Sequence, residues 1–476
     1  MNEKNLILSL ISGLMLGLSF PPFHLGFLAW IFLIPLFKIF YQPIKLSEKM
    51  ILFYLAGFVS YVIITHWVAL NSGTSVQVAV ISFLAICTFY SLYWVLFCLI
   101  LHFFEKRKFL SKIQLILIPF TWVLIENLRD IGPLAAPWLN LSLSQTGYNK
   151  LIQIVSLHVD FSTFIVVLLN IILFKFILLN QKKYFYGFLS VIVINAFIGQ
   201  VLISNYNKTN FQKQINVSIG QPVIYPDEKW NPNLKIRNDN IMNDLLEKSL
   251  ESNPDVIVWP EAALTSFLAN TGSKKRIELQ EKIEDSVLIT GIPQRMFFND
   301  ELKVYNSAIF LRPDGFYDTY QKIFLVPFAE YVPFFKNWLS KINQFDDMGS
   351  FTPGQNYNTF DIENVKSSIM ICYDSSSFKV AKKMLEEGAE IIFVITNDSY
   401  VGKAMPYQHF EHAKLRSIEL GIPVVQSANN GISGIILPSG EVLIKTEIDE
   451  RNVYNHSIKL KCCLLYTSPS PRDSNL

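Results

Sequence analysis

Three polar residues, two at the ends of apolar, strand-like runs of the sequence and one in the segment between those runs, carry the side chains needed for acyl transfer. The run DVIVWP is followed by Glu261, and the run SSIMI is followed by Cys372. Between them, the segment YQKIFLVPFAEYVPF carries Lys322 and Glu330. A carboxylate can take the proton of a thiol, the thiolate can attack a carbonyl carbon, and an ammonium can stabilise the resulting oxyanion. A nearby lysine is also expected to lower the thiol pKa.

Spacing alone leaves a structural interpretation open. Carboxylates are common at the strand ends of α/β domains, and a cysteine there is more often a buried apolar residue than a nucleophile. Cys372 is the only cysteine between residues 206 and 460, whereas Cys87 and Cys98 lie in apolar runs typical of buried cysteines. This count makes Cys372 a candidate nucleophile, but a weak one by itself.

The elements that would position these residues alternate between strand and helix. Such alternation predicts an α/β domain, and the active sites of these sheets lie at the carboxyl ends of strands. Pro438-Ser439-Gly440 predicts a hairpin turn. The predicted strands are Asn216–Ile219, Asp255–Trp259, Val287–Gly291, Val304–Leu311, Ser367–Cys372, Glu390–Ile395 and Val424–Ser427, and the predicted helices are Asn238–Ser252, 275–284, 378–387 and 406–420.

The chain before this domain has a different composition. Hydrophobic residues make up 51% of the 476 residues, and long apolar runs concentrate before residue 205. We therefore predict an α-helical membrane bundle over 1–205 and a polar catalytic domain over 206–460. A spanning helix needs ~20 apolar residues, and we treat the first run as an anchor because no small-residue cleavage site follows it. The seven candidate spans are 5–20, 24–40, 51–70, 76–103, 112–126, 155–179 and 184–204.

Basic residues predict how the bundle is oriented. In a seven-span arrangement one side carries only Arg129 and Lys150. Because basic loops stay in the cytoplasm, everything after Ser204 is expected outside it, in the periplasm of a bacterium with two membranes. The net charge of +2, without a basic block, argues against a nucleic-acid partner. The residues on the basic side are Lys4, Lys45, Lys49, Lys106, Arg107, Lys108, Lys112, Lys182 and Lys183.

Isolated polar residues of the bundle favour structural roles. Glu126 and Arg129, three positions apart, are expected to form an ion pair at a helix end rather than a functional site. His66 and His158 each lack a second candidate ligand nearby in sequence, so neither indicates a metal site.

Several motifs resemble known families. The three candidate segments are similar to the nitrilase superfamily, which places a Glu–Lys–Cys triad on an αββα sandwich. Joined to a multi-span membrane half, they resemble the bacterial apolipoprotein N-acyltransferase family over nearly the whole chain. The motifs that carry this resemblance are VWPE, YxKxxLVPFxEYVP, the CY pair, TNDSYVG, QHFEHAKLRSIELGIPVVQSANNGISG and, in the membrane half, PWLNLSLSQ at 137–145.

The resemblance assigns roles to individual residues. It implies that Glu261 is the general base, Lys322 the oxyanion stabiliser and Cys372 the nucleophile. Glu330 would support Lys322 and the tetrahedral intermediate. Other positions that match the family around its site are Trp230, Asn306 and Tyr373.

The chain also departs from the family pattern. Asp374 stands where a glutamate often follows the CY pair, and Ala329 stands where glycine is usual. The alanine would matter if that position needs a positive φ. The loop 325–335 is rich in apolar residues, so the resemblance makes it an arm where lipid enters and from which water is kept; a surface loop packed on the domain is the alternative.

The implied reaction is a two-step acyl transfer without metal or organic cofactor. Cys372 would take the sn-1 acyl chain of a phospholipid as a thioester, and the N-terminal amine of a diacylglyceryl-cysteine lipoprotein would then take it from the enzyme. We expect the chain to act as a monomer in the bacterial inner membrane. The competing hypotheses are a membrane-tethered nitrilase-type amidase that transfers to water, and an inactive sensor or scaffold, against which the intact triad speaks.

The end of the chain differs from the family. The family normally closes with one more spanning helix, whereas nothing apolar of that length follows Ile458. The stretch from Cys463 to Asp473 resembles the translation of a common sequencing adapter. We therefore expect 461–476 to be an artefact that replaces the last helix, with a disordered polar tail as the alternative.

Overall fold

The computed structural model describes residues 2–107, 110, 113–209, 211–298, 301–332 and 351–461. Of the predicted tail 461–476, only Lys461 is described, and it ends the last strand of the second part instead of belonging to a separate tail. The rest of the tail and the end of the predicted arm, 333–335, lie outside the described residues. Long apolar runs make the first part helical, since a helix satisfies its own backbone groups where water is absent. Its helices are α1 (Glu3–Ser19), α2 (Leu33–Phe40), α3 (Leu46–Thr65), α4 (Val76–Glu105), α5 (Gln114–Arg129), α6 (Asn149–Ile152), α7 (Phe161–Leu179) and α8 (Lys182–Asn207).

Among the described residues, four helical segments are long and apolar enough to cross a membrane. They are Leu46–Leu70, which is α3 continued by a short 3₁₀ turn, together with α4, α7 and α8. The other three predicted spans also contain helices. However, α1 has 17 residues and α5 has 16, fewer than the ~20 of a typical span. The seven-span arrangement therefore stays a prediction.

The pair Glu126 and Arg129 is part of a buried polar cluster in this bundle. Arg129 Nη2 lies 3.6 Å from Glu126 Oε1. Glu126 also accepts hydrogen bonds from the indole of Trp122, the backbone N–H of Leu141 and the hydroxyl of Thr163. These contacts join α5 to α7 and to the loop between them, as expected for a structural ion pair.

In the second part of the chain, the residues that the structure describes form two mixed sheets of six strands each. The first has the order β12-β1-β2-β3-β4-β5 and the second the order β11-β10-β9-β8-β7-β6. The predicted strands all fall within or overlap observed ones, and the predicted turn at Pro438 joins the antiparallel pair β10 and β11. The strands are β1 (Phe211–Gln221), β2 (Val256–Val258), β3 (Val287–Phe298), β4 (Glu301–Leu311), β5 (Tyr317–Gln321), β6 (Thr359–Ile362), β7 (Val365–Ile371), β8 (Ile391–Thr396), β9 (Val424–Ala428), β10 (Gly434–Ile436), β11 (Val442–Lys445) and β12 (Asn452–Lys461).

The two sheets pack face to face with helices outside them, which gives the predicted αββα layers. Their inner faces share one apolar core, in which Phe310 of the first sheet stacks on Phe360 of the second. A second apolar cluster joins the other face of the first sheet to its helices. The helices of this part are α9 (Pro226–Lys229), α10 (Lys235–Leu250), α11 (Lys274–Lys282), α12 (Phe378–Glu386) and α13 (Ala404–Leu420).

Helix α13 lies between the second sheet and the membrane half. Its residue Gln408 is 1% exposed and bonds to three parts of the membrane half. The side-chain oxygen accepts from the indoles of Trp67 and Trp138, and the side-chain nitrogen donates to the carbonyls of Pro21 and Ile64. Because a buried amide must be satisfied, these bonds fix the helix against the bundle.

A second contact joins the halves at the β10–β11 turn. Both Asn149 and Gln153 donate to the carbonyl of Ser439, at 2.9 Å each. The next residue, Gly440, has φ +77°, and a Cβ there would overlap the Asn149 side-chain oxygen. Glycine is thus required both by backbone conformation and by the close approach of the membrane half.

Gly440→Ala should therefore destabilise the protein more than Gly315→Ala. Gly315 has φ +88° with nothing within 4 Å of an added Cβ, so this control isolates the backbone cost. We expect a loss of about 1 kcal/mol for the control and a larger one for Gly440→Ala, measured as the unfolding temperature in detergent. Equal losses would mean that the contact with Asn149 contributes nothing.

Candidate active site

The candidate general base, Glu261, follows β2 at a point where its backbone lies close to that of β3. After β2 the chain stays beside β3, where Gly291 N–H donates to the Pro260 carbonyl at 3.1 Å. A Cβ on Gly291 would lie 2.5 Å from the Glu261 Cα, so glycine lets the two segments touch. The side chain of Glu261, which begins at this close approach, is buried, with 8% of its surface exposed.

The candidate nucleophile begins a tight turn directly after β7. Cys372 is half-buried and has φ +49°, a left-handed conformation that is strained for any residue with a Cβ. Asp374, two residues on, accepts from the backbone N–H of Ile371 at 3.0 Å and thereby closes the turn.

Asp374 also joins this turn to the residues on both sides of Lys322. Its carboxylate accepts from the Tyr320 hydroxyl at 2.8 Å and from the Phe324 N–H at 2.7 Å. Burial raises the pKa of Asp374 to about 6, against the opposing effect of Lys322. The carboxylate of Asp374, the shorter side chain that departs from the family pattern, therefore accepts three hydrogen bonds, from Tyr320, Phe324 and Ile371.

The Lys322 amine lies in a cluster of hydrogen-bonded polar groups. It is 2.8 Å from Glu330 Oε2, 2.9 Å from Glu330 Oε1 and 3.8 Å from Glu261 Oε1. Asn306 donates to Glu261 at 2.7 Å and to Glu330 at 2.9 Å. The structure thus brings together four of the predicted residues, from β4, from the end of β5 and from the segments that follow β2 and β5.

Charges and burial set the protonation states in this cluster. Burial raises the pKa of Glu261, while Lys322 opposes that rise. Burial by itself would lower the pKa of Lys322, but its carboxylate neighbours, Glu330 foremost, raise it overall. The amine therefore stays charged at neutral pH.

The thiol pKa differs from the expectation. We predicted that the neighbouring lysine lowers it, whereas burial, followed by the charge of Glu261, raises the pKa of Cys372 well above its usual value. Lys322 acts in the predicted direction but is outweighed. The thiol is therefore protonated at neutral pH, and its activation requires a base.

The remaining predicted residues lie around the cluster. The Tyr373 ring stacks on Phe324, with centroids 5.0 Å apart, and faces Trp138 of the membrane half at 5.9 Å. Trp230 is 54% exposed, and its indole N–H donates to the Tyr400 hydroxyl rather than to a residue of the triad. Ala329 needs no positive φ, because Phe328 holds the left-handed position in this turn.

Sequence reasoning missed several groups near the site. The backbone N–H of Asn397 donates to Glu261 at 2.9 Å. The side chain of Lys229 is buried, and burial lowers its pKa to about 7 against the attraction of Glu261. Asp398 and His409 lie beside Cys372, with candidate ligand atoms of all three residues within 4.8 Å of one another. The motifs TNDSYVG and QHFEHA contain Asn397, Asp398 and His409. However, the positions of these residues along the chain did not predict a role for them.

A sandwich with these side chains between its sheets, joined to helices of membrane length, defines a membrane-integrated protein of the nitrilase class. Residues 12–199 match the family described as apolipoprotein N-acyltransferase N-terminal domain, and residues 238–463 match carbon-nitrogen hydrolase. The chain belongs to the apolipoprotein N-acyltransferase family, as its motifs predicted. It is therefore an acyltransferase of lipoprotein maturation.

Named relatives agree with this assignment. The apolipoprotein N-acyltransferase of Geobacter metallireducens is 26% identical over 472 residues, covering 96% of this chain and 90% of the relative. Apolipoprotein N-acyltransferase 2 of Treponema denticola is 30% identical over 392 residues, covering 72% and 70%. The Rickettsia prowazekii enzyme is 28% identical over 475 residues, covering 94% and 91%.

Solved structures give fainter similarity. Saccharomyces cerevisiae Nit3, of the nitrilase superfamily, is 16% identical with a TM-score of 0.41 over 52% of this chain and 91% of that chain. An amidase of the same superfamily from Nesterenkonia, solved as a mutant, is 15% identical with a TM-score of 0.39 over 53% and 93%.

The hydrogen bond from Asn306 should set the acid limb of the pH–rate profile. A base must be ionised, so activity falls as the pH drops through the pKa of Glu261, and a donor that stabilises the carboxylate lowers that pKa. In Asn306→Ala the limb should move to higher pH by about one unit, the shift expected for one hydrogen bond to a charged group.

The measurement is the rate of Cys372 alkylation as a function of pH. Asn358→Ala serves as the control, because Asn358 donates to the Thr319 carbonyl rather than to the cluster. If the acid limb of the pH–rate profile lies at the same pH in Asn306→Ala as in the wild type, the limb does not report the pKa of Glu261.

Proposed function

We propose that this acyltransferase forms a thioester on Cys372 with the sn-1 acyl chain of a phospholipid. Glu261 takes the thiol proton, the sulfur attacks the ester carbonyl, and the C–O bond breaks as Glu261 returns the proton to the glycerol oxygen. The released product is a lysophospholipid. The observation that carries the proposal is the cluster of Glu261, Asn306, Glu330 and Lys322 beside the strained turn of Cys372.

The second step transfers the acyl group to the N-terminal amine of a diacylglyceryl-cysteine lipoprotein. Glu261 accepts the proton that the amine loses, the C–N bond forms, and the C–S bond breaks as Glu261 returns that proton to the sulfur, which regenerates the Cys372 thiol. Lys322 has three N–H donors, and two of them suffice for the oxygens of Glu330. The third is then available to the oxyanion that forms in both steps.

An apolar cavity supports a lipid donor over the small polar substrates of an amidase. It has a volume of about 250 Å³ and lies where the membrane half meets the segment that follows Lys322. The Tyr331 hydroxyl closes one side by donating to the Pro133 carbonyl. The residues that line the cavity are Gly132, Pro133, Ala135, Ile323, Phe324, Leu325, Pro327, Tyr331 and Pro353.

Mass spectrometry of the purified protein after incubation with phospholipid tests the thioester. A hydroxylamine-sensitive acyl adduct should form on Cys372 and disappear when a diacylglyceryl lipopeptide is added. Cys372→Ala should abolish both adduct and transfer, whereas Cys98→Ala, which changes a buried cysteine of α4, should retain them.

Full transfer by Cys372→Ala would overturn the proposal. An adduct that decays without reaching the lipopeptide would identify water as the acceptor and favour the amidase alternative.

We also propose that the catalytic domain faces the periplasm. Lys182 begins α8 on the basic side, and the 26 residues of this helix carry the chain about 39 Å, to the opposite side. There β1 begins the catalytic domain, at Phe211. Trypsin added outside intact spheroplasts should therefore digest residues after 211. Protection that lasts until the spheroplasts are lysed would reverse the orientation.

A further inference from the structure

A buried polar group behind Cys372 has no part in the reaction described above. It consists of His409 on α13, Asp398 just after β8 and Ser375 in the turn that Cys372 begins. All three are at most 1% exposed. Their burial excludes direct contact with a lipid or peptide substrate, so any effect on the reaction must pass through the nucleophile.

The His409 ring connects Asp398 to the backbone of Cys372. Its Nδ1 lies 2.9 Å from Asp398 Oδ1, and its Nε2 lies 3.1 Å from the Cys372 carbonyl oxygen and 2.9 Å from Ser375 Oγ. The Ser375 hydroxyl donates to the same carbonyl at 2.8 Å. Two donors thus converge on the carbonyl of the one residue in the turn that has a left-handed backbone.

The partners of the ring set the direction of two of its hydrogen bonds. Asp398 Oδ1 already accepts from the Thr396 hydroxyl at 2.6 Å, and a carboxylate can only accept, so Nδ1 is the donor in the contact with Asp398. The Cys372 carbonyl oxygen can likewise only accept, so Nε2 is the donor in the contact with Cys372.

The membrane half packs against the same ring. The Trp138 indole lies 5.4 Å from His409 between centroids and is held by the neighbouring Gln408. The ring is thus oriented by α13, by the end of β8 and by the loop after α5. Such a rigid surrounding is what a left-handed cysteine needs, because strained conformations persist only where neighbouring groups determine them.

We propose that His409 is a positioning residue for thioester formation, whose Nε2–H bond to the Cys372 carbonyl holds the nucleophile in its left-handed conformation while Asp398 orients the ring. This role rests on the proposed function, in which Cys372 is the nucleophile. Losing the bond should slow acylation without weakening lipid binding, since the ring does not touch the cavity.

Two substitutions at His409 test the roles of its two ring nitrogens separately. In His409→Gln the amide nitrogen can take the place of Nε2 and keep the bond to Cys372, whereas in His409→Asn it can take only the place of Nδ1. The full-length protein in detergent is given phospholipid, and the rate and KM of acyl-Cys372 formation are measured by mass spectrometry. His409→Asn should be roughly tenfold slower at unchanged KM, as expected for the loss of one hydrogen bond, and His409→Gln should be within about twofold of wild type.

His412→Asn is the control for perturbing α13. Its ring also packs on Trp138, at 4.6 Å between centroids, but among the described residues no hydrogen bond joins its side chain to the turn of Cys372. We expect it to acylate at close to the wild-type rate. Equal impairment of the Gln and Asn variants, or a wild-type rate in His409→Asn, would overturn the role of His409.

The rate of Cys372 alkylation by iodoacetamide gives a second measurement that needs no lipid. It should fall in His409→Asn and be retained in His409→Gln. If wild-type protein formed no acyl adduct, the proposed function would fail, but the alkylation rates would still decide whether His409 positions the cysteine.

Discussion

The burial of the Lys322 ammonium is the constraint on which the site depends. A charge that is 1% exposed is costly unless it is paired and hydrogen-bonded. Glu330 supplies the pair, and Asn306 joins that carboxylate to Glu261. Burial raises the pKa of Glu261, and the charge of Glu330 adds to that rise while Lys322 opposes it. A carboxylate with a raised pKa can both take a proton from a thiol and return it to a leaving group.

The site also depends on the packing of the two sheets. Glu261, Asn306 and Lys322 come from the first sheet and its loops, whereas Cys372 follows a strand of the second. Asp374 bridges them, because it closes the cysteine turn and accepts from residues on both sides of Lys322. A change in the sandwich core that shifts one sheet against the other would therefore separate the proposed base, Glu261, from the proposed nucleophile, Cys372, without altering either residue.

The sequence predicted the parts of this arrangement that follow from local pattern. Apolar runs ending in Glu261 and Cys372 located both residues at strand ends, and their motifs supplied the family. The features that the sequence did not predict depend on contacts between segments that are distant along the chain. The left-handed φ of Cys372 leaves no mark in composition, and His409 lies 37 positions later on a helix, where an amphipathic pattern treats it as one more buried residue. The raised pKa of the cysteine was likewise missed, since burial depends on the assembled fold.

The membrane half does more than hold the catalytic domain at the lipid. Its loop after α5 provides Pro133 and Ala135 to the apolar cavity, and Trp138 packs against both Tyr373 and His409. Gln408 of α13 accepts from Trp138 in that loop, and its other three hydrogen bonds join α13 to Trp67, Pro21 and Ile64 elsewhere in the membrane half. The wall of the site is therefore built from both halves, and neither encloses it alone. Under the proposed function, this junction would both admit the lipid and protect the thioester from water, because the apolar surface that receives the acyl chain would also exclude water.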